Sequence, residues 1–254
     1  MTSKYLPERR LDFFWLRLAV SGVFLALFIG LVRLAWYPNL HFLLSGTWKF
    51  ILITIAVVLI AGPGLTTLVY RRTKKGMVFD IWAILVVELI AIGLAAGELH
   101  ERRPEYLVFA VDRFEAIPAE RVTDHPFRYK DLSGGRWIGP TLVVARFPDS
   151  VAERADLKHG VLFEGQPDIN IRPDQWYPYD TWSESAVEKS RPLAALRKAG
   201  AEHLVAVDRW LRAESGRVED YGFLPIHGTA RDGVVVIARK TGLPVGMLDL
   251  DPWI

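Results

Sequence analysis

One carboxylate stands where an apolar environment tolerates it least. Glu88 lies in Val86-Val87-Glu88-Leu89-Ile90, near the centre of a run long enough to cross a bilayer. A charged side chain at that depth costs a few kcal/mol or more. The carboxyl is therefore either protonated or turned toward a polar partner. Within the chain the partners in reach are Thr54 and, by extending inward, Arg33; Arg17 and Asp80 sit nearer one membrane face and are expected to pair with each other. Such a group suits recognition of another membrane helix or proton handling, and it equally suits a hydrogen-bond clasp among the chain's own helices. A lone acid without a relay of further acids or histidines argues against a transporter.

The remaining chemistry-bearing residues are scattered. The chain has no Gly-x-Ser-x-Gly elbow, no phosphate-cradling Gly-x-x-x-x-Gly-Lys-Ser/Thr and no His-Glu-x-x-His. Histidines 41, 100, 125, 159, 203 and 227 lack metal-ligand spacing, and cysteine is absent, so neither a thiolate metal site nor a disulfide framework exists. Asp124 and His125 are adjacent without a nucleophile to complete a triad. Ser133-Gly134-Gly135 offers backbone amides to an anion, or simply a turn. Asp249 and Asp251 occupy alternate positions, with no third acid to complete a metal site. No catalytic residue, cofactor or metal is expected. An enzymatic reading would begin at Asp112, Arg113 and His125.

The elements that must position these groups fall into two parts. Three apolar runs, about 13–37, 48–70 and 78–97, each reach the ~20 residues a bilayer-crossing helix needs. They define a membrane domain over 1–100, followed by a domain over 101–254 large enough to bury its own core. The first run is too long for the apolar stretch of a cleaved signal peptide and is expected to stay as a helix. The net charge of +2 hides an asymmetry: residues 1–78 carry ten Lys/Arg against two Asp/Glu, and residues 79–254 carry 21 against 27. A mildly acidic domain without a basic, aromatic-laced patch argues against nucleic acid as partner. Lys4, Arg9 and Arg10 precede the first run, and Arg71, Arg72, Lys74 and Lys75 join the second to the third, whereas Pro38–Thr47 has no Lys or Arg. The positive-inside rule then puts the amino terminus in the cytoplasm and the carboxyl domain outside, against the minor contrary charge of Arg102 and Arg103.

The outer domain reads as α/β (α+β) with a mostly antiparallel sheet. Strands are predicted over Tyr106–Val111 and Thr141–Phe147, a short helix over Ser150–Lys158, and an amphipathic helical region over Arg191–Ala213 broken at Gly200. Three strands follow, Tyr221–Ile226, Val234–Arg239 and Pro244–Leu250, the last two forming a hairpin through Lys240-Thr241-Gly242. The segment Gln166–Thr181, with three prolines beside Trp176, Tyr177 and Tyr179, reads as an irregular aromatic loop. In the second run Gly62-Pro63-Gly64 bends the helix, either as an ordinary kink or as a gap for an approaching helix.

The chain resembles the type IV pilin accessory proteins (the TfpX/TfpZ type) of bacterial inner membranes, nearly end to end. Trp36-Tyr37-Pro38 is similar to that family's exit from the first span, and Gly62-Pro63-Gly64-Leu65-Thr66-Thr67-Leu68-Val69-Tyr70 to its second. Lys74, Lys75 and Phe79-Asp80 match its basic loop and the start of its third span. Arg103-Pro104-Glu105-Tyr106-Leu107-Val108-Phe109 with Asp112-Arg113-Phe114 is the most specific match; Thr241-Gly242 and Pro252-Trp253 also fit. Glu88 departs from it, standing where an uncharged polar residue is expected. The resemblance implies a non-enzymatic, chaperone-like protein whose partner is a major type IV pilin, stabilised before or during assembly. Such a pilin waits in the bilayer as one apolar helix with a head outside. On this reading Gly62, Pro63, Gly64 and Glu88 line a docking face for the pilin helix, while Trp176, Tyr177, Tyr179 and Trp182 meet its head. The alternatives are a membrane-anchored sensor whose outer domain binds a ligand, and a membrane-bound enzyme.

Overall fold

The computed structural model describes residues 9–70 and 76–254. Lys4 and the basic cluster at 71, 72, 74 and 75 lie outside the described residues. Three helices are long and apolar enough to span a membrane: α1 (Arg10–Trp36), α3 (Trp48–Val69) and α4 (Met77–Glu101), with the one-turn α2 (His41–Leu44) between the first two. Each is close to the predicted run, because an uninterrupted apolar stretch of that length has few other stable forms in lipid.

The long helices depart from α-helical regularity at two places, and the second has an identifiable cause. The last turn of α1, Val32–Trp36, is a π-helix, as is Ile60–Leu65 around Pro63. Proline lacks the amide proton that an α-helix needs there and crowds the preceding turn. The carbonyls loosened by the wider turn are taken up by side chains: Thr66 donates to the Gly62 carbonyl and Thr67 to that of Pro63 (2.6 Å).

The chain divides into two compact units. The helical unit takes the described residues up to Ala35 and from Thr47 to Glu101; the second takes Trp36–Gly46 and Arg102–Ile254. The connection between α1 and α3 thus belongs with the sheet and not with the helices, unlike the single boundary expected near residue 100. The physical reason is apolar. Leu44 is buried within the sheet unit's core, and its carbonyl accepts the amide of Ala230 at 2.8 Å.

The sheet unit is built on eight strands: β1 (Pro104–Ala110), β2 (Arg113–Pro118), β3 (Thr141–Ala145), β4 (Trp176–Pro178), β5 (Arg191–Pro192), β6 (Tyr221–His227), β7 (Gly233–Ala238) and β8 (Pro244–Leu248). Their order is β4-β3-β1-β2-β6-β7-β8, with β5 added to β6. Only β1·β3 and β2·β6 are parallel, so the sheet is mixed and mostly antiparallel. Four helices accompany it: α5 (Val151–Phe163), α6 (Tyr179–Lys189), α7 (Leu193–Lys198) and α8 (Ala201–Glu214), the last two separated at Gly200 as predicted.

Both faces of the sheet are covered. Side chains alternate across a strand, and on β1 Leu107 and Phe109 join one core with Tyr179 and Ala186 of α6, while Tyr106 and Val108 join another with Leu157 of α5 and Trp176. All seven β1 residues are buried, and those from Tyr106 to Ala110 are apolar or aromatic, as a strand covered on both faces requires. The strand ends one residue earlier than predicted, because Val111 turns the chain with φ of 60°, a strained setting for a β-branched residue.

Three elements differ from the sequence-based reading. The strand β2 had no prediction of its own. The segment Gln166–Thr181 is ordered into two 3₁₀ turns, strand β4 and the start of α6. The helix from Ser150 runs on to Phe163 with Ser150 as its N-cap, its hydroxyl accepting from the Glu153 amide.

The connection also carries a pH response. His41 is buried in the sheet unit, its Nδ1 has no hydrogen-bond partner, and burial lowers its pKa from 6.5 to about 4. Arg102 lines the same small cavity. The folded state therefore favours neutral His41, whereas the unfolded chain protonates below about pH 6.5. Stability conferred by this neutral burial is complete above pH 6.5 and falls as the pH drops toward 4, to a limit of roughly 3 kcal/mol. Chemical denaturation at pH 7 and pH 5 is expected to show a loss of about 2 kcal/mol that His41→Leu abolishes. An unchanged pH slope in His41→Leu would rule the explanation out.

Candidate functional site

The polar heart of the helical unit is an ion pair. On α1 the buried stripe runs Phe13, Arg17, Ser21, Leu25 and Phe28, one residue per turn. On α4 it is Met77, Glu88 and Leu99, about three turns apart. These stripes bring Arg17 Nη2 to 2.7 Å from Glu88 Oε2, with Arg17 5% and Glu88 0% exposed. The ion pair of Arg17 goes to Glu88 and not to Asp80, as the sequence had suggested. Thr54, the other proposed partner, instead donates to the Phe50 carbonyl of its own helix at 2.9 Å.

Gly62 lets this pair close. A Cβ on it would lie 2.6 Å from Ser21 Oγ and 2.8 Å from Glu88 Oε1. Only a glycine admits both groups, so the absent side chain of Gly62 is filled by the chain's own α1 and α4. This answers the question left open by Gly62-Pro63-Gly64: Gly62 and Pro63 are buried and Gly64 is exposed, and the close approach is internal. Glu88, wholly buried, is the clasp among the chain's own helices and presents nothing to a docking helix. Three polar atoms of the cluster, Arg17 Nε, Ser21 Oγ and Glu88 Oε1, make no hydrogen bond. A buried pair of this kind contributes little net stability, but loss of one partner strands the other charge. Ser21 was missed, and Arg17 was assigned to the wrong carboxylate. Their signal was present: two polar side chains four apart lie on one helix face, and on an apolar helix that face turns inward.

The aromatic residues of the sheet unit separate into two kinds. Trp176 is fully buried, its Nε1 donating to the Ile169 carbonyl at 3.0 Å, and Tyr179 is buried with its hydroxyl on the Gly242 carbonyl at 2.6 Å. Both are core, not contact surface; burial raises the Tyr179 pKa. Tyr177 and Trp182 are half-buried and meet edge to face, with ring centroids 6.1 Å apart. Arg128 stacks over Tyr177, and Arg146 over Trp182, its Cζ 3.3 Å from the ring centroid. The two arginines escaped the sequence reading because nothing in their spacing ties them to the aromatic pair.

The other candidate groups are engaged nearby. Gly134 and Gly135 have positive φ, the Glu105 side chain packs against Gly135, and the adjacent Tyr106 hydroxyl donates to the Leu132 carbonyl at 2.9 Å. Burial and the neighbouring Glu105 carboxylate push the Tyr106 pKa up to about 12. The Ser133-Gly134-Gly135 turn is thus occupied by the chain's own side chains. Arg113 pairs with Asp112 at 3.5 Å, His125 Nδ1 meets the Thr123 hydroxyl at 2.9 Å, and no hydrogen bond or ion pair joins Arg113 to His125 among the described residues. Asp249 pairs with Arg231 at 2.8 Å, and Asp251 accepts from the Trp253 amide at 3.0 Å. Among the described residues no three His, Asp or Glu side chains converge to hold a metal.

The fold and site define a class: three apolar helices clasped by a buried Arg–Glu pair, joined to a mixed-sheet unit that incorporates the first connection. No protein family, curated protein or solved structure matches this chain.

Proposed function

We propose that this chain is a membrane-anchored, non-enzymatic accessory protein of type IV pilus biogenesis, one that binds and stabilises a pilin before or during assembly. The motif resemblance supplies the client. The structural observation that supports the reading is α4. This 25-residue helix buries only Met77, Glu88 and Leu99, which leaves Val86, Val87, Ile90 and Leu94 exposed along its length. A single-helix client associates in lipid through close packing, and α4 has an open flank for it. The docking face therefore moves from Gly62 and Glu88 to the outward side of α4.

The proposed orientation puts the amino terminus in the cytoplasm and the sheet unit on the periplasmic side of a bacterial inner membrane. Packing within the sheet unit supports it. The α1–α3 connection, free of Lys and Arg, shares a core with the carboxyl-terminal strands, so both belong on one side of the bilayer.

Because the chain has no cysteine, single cysteines can be introduced without background. In pilus-producing cells, cross-linking from Leu94→Cys on the exposed flank is expected to capture a pilin subunit, and Leu99→Cys on the buried stripe is not. Products lacking pilin, or equal capture from both positions, would overturn the proposal.

A further inference from the structure

Two guanidinium groups share one aromatic ring at the edge of the sheet. Tyr177 is the middle residue of β4, the outermost strand. Arg128 Cζ lies 4.9 Å from its ring centroid and Arg146 Cζ 5.8 Å. Arg146 also sits face-on to Trp182, and the Tyr129 ring is 5.6 Å from Tyr177. A guanidinium lying over an aromatic ring still has its in-plane N–H groups to donate.

The chain's own acids engage this pair only weakly, since its one ion pair among the described residues, Arg146 with Asp149, is long and solvent-exposed. The side chain of Asp174 is bound by Arg172 at 2.9 Å and by Gln175, whose hydrogen bonds outweigh burial and hold its pKa below the usual range. Arg128 reaches only the Asp174 backbone carbonyl, through Nε at 2.9 Å, and its terminal nitrogens have no hydrogen-bond partner among the described residues. Asp149 is 3.8 Å from Arg146 and almost wholly exposed. A concentrated pair of positive charges thus stands on a part of the chain whose balance is negative, 21 basic residues against 27 acidic.

The edge itself is closed to strand addition. The strand β4 has three residues, and Pro178 has no amide proton to donate. Recognition here must run through side chains. A sugar ring would need a bare aromatic face, whereas Tyr177 and Trp182 carry guanidiniums or neighbouring rings. Planar, pre-positioned guanidiniums match carboxylates, which they grip with paired hydrogen bonds.

We propose that Arg128 and Arg146, braced on Tyr177 and Trp182, dock an acidic segment of a protein partner through its side-chain carboxylates. The inference rests on the reading that the sheet unit meets a protein client, and it specifies the chemistry of that client's contact. The full chain in detergent micelles is titrated with a fluorescein-labelled oligoglutamate peptide, an oligolysine control and a polyuronate. Oligoglutamate is expected to bind in a salt-sensitive manner, and Arg128→Gln with Arg146→Gln to weaken it by about tenfold or more. Arg128→Lys with Arg146→Lys, which keeps charge but loses the planar fork, is expected to fall between. Arg128 is exposed and Arg146 partly so, and comparison of thermal midpoints with the parent chain verifies folding of the variants.

Binding unaffected by the glutamine pair, or no peptide binding by the parent chain at low salt, overturns the inference. So does a polyuronate that binds more tightly through the same arginines, since the partner would then be a glycan. No peptide binding by the parent chain while Leu94→Cys still captures pilin defeats this inference alone; no pilin capture while the parent chain binds the peptide defeats the client reading.

Discussion

Glu88→Leu alone is expected to destabilise the helical unit by about 3–5 kcal/mol, and Arg17→Met added to it is expected to restore most of that loss. The reason lies in the geometry. Arg17 Nη2 is 2.7 Å from Glu88 Oε2, and neither side chain reaches the surface appreciably. Removing the carboxylate leaves a buried guanidinium inside an apolar bundle without its ion-pair partner. Removing both leaves shapes that leucine and methionine fill. Thermal unfolding of the full chain in detergent, run as a double-mutant cycle, measures the coupling directly. A single variant as stable as the parent, or a double variant no better than the single, would show that the pair is not the clasp described above.

Trp176→Ala is expected to cost about 3–5 kcal/mol and Trp182→Ala about 1 kcal/mol or less. The two tryptophans are close in sequence and opposite in role. Trp176 is enclosed, stacks within 4.7 Å of Tyr106 and hydrogen-bonds through its indole nitrogen. Its removal opens a cavity beneath β1 that a close-packed core refills only in part. Trp182 is only partly buried, at the margin of the core, and its removal forfeits that marginal packing together with its contact with Arg146. Denaturant unfolding followed by circular dichroism distinguishes them, and equal midpoints for the two variants would contradict the assignment. The difference governs how capture experiments are interpreted: loss of partner binding in Trp176→Ala reports unfolding, whereas loss in Trp182→Ala reports a contact.

Much of the architecture was legible because the determining signals are local. Length of apolar sequence marks the three long helices, Gly200 separates α7 from α8, and Lys240-Thr241-Gly242 closes the β7–β8 hairpin. The elements that escaped detection are those whose structure comes from their neighbours. In Arg113–Pro118 the exposed Arg113 and the half-buried Glu115 dilute the strand pattern, and the segment is ordered by pairing with β1. The helix Tyr179–Lys189 is largely polar and buries only Tyr179 and Ala186, so periodicity has little to register. The Arg17–Glu88 pair was missed for a geometric reason. Counted from the starts of their helices the two residues differ in depth by roughly 6 Å, and depth alone therefore assigned them to different levels. An arginine side chain spans that difference, and the i, i+4 placement of Ser21 shows which way it points. At the sheet edge, Arg128 and Arg146 come from distant segments and converge on Tyr177 only once β3 and β4 are paired.

The assignment of Trp36–Gly46 to the sheet unit bears on how the protein is made. Leu44 leaves the ribosome long before its partner Ala230. During synthesis the early segment must wait, already threaded between two helices, for strands that complete its surroundings. The sheet unit is accordingly not an independent module appended to an anchor. Placement of the first helical pair and completion of the sheet unit's core are coupled steps, and an error in the first is carried into the second.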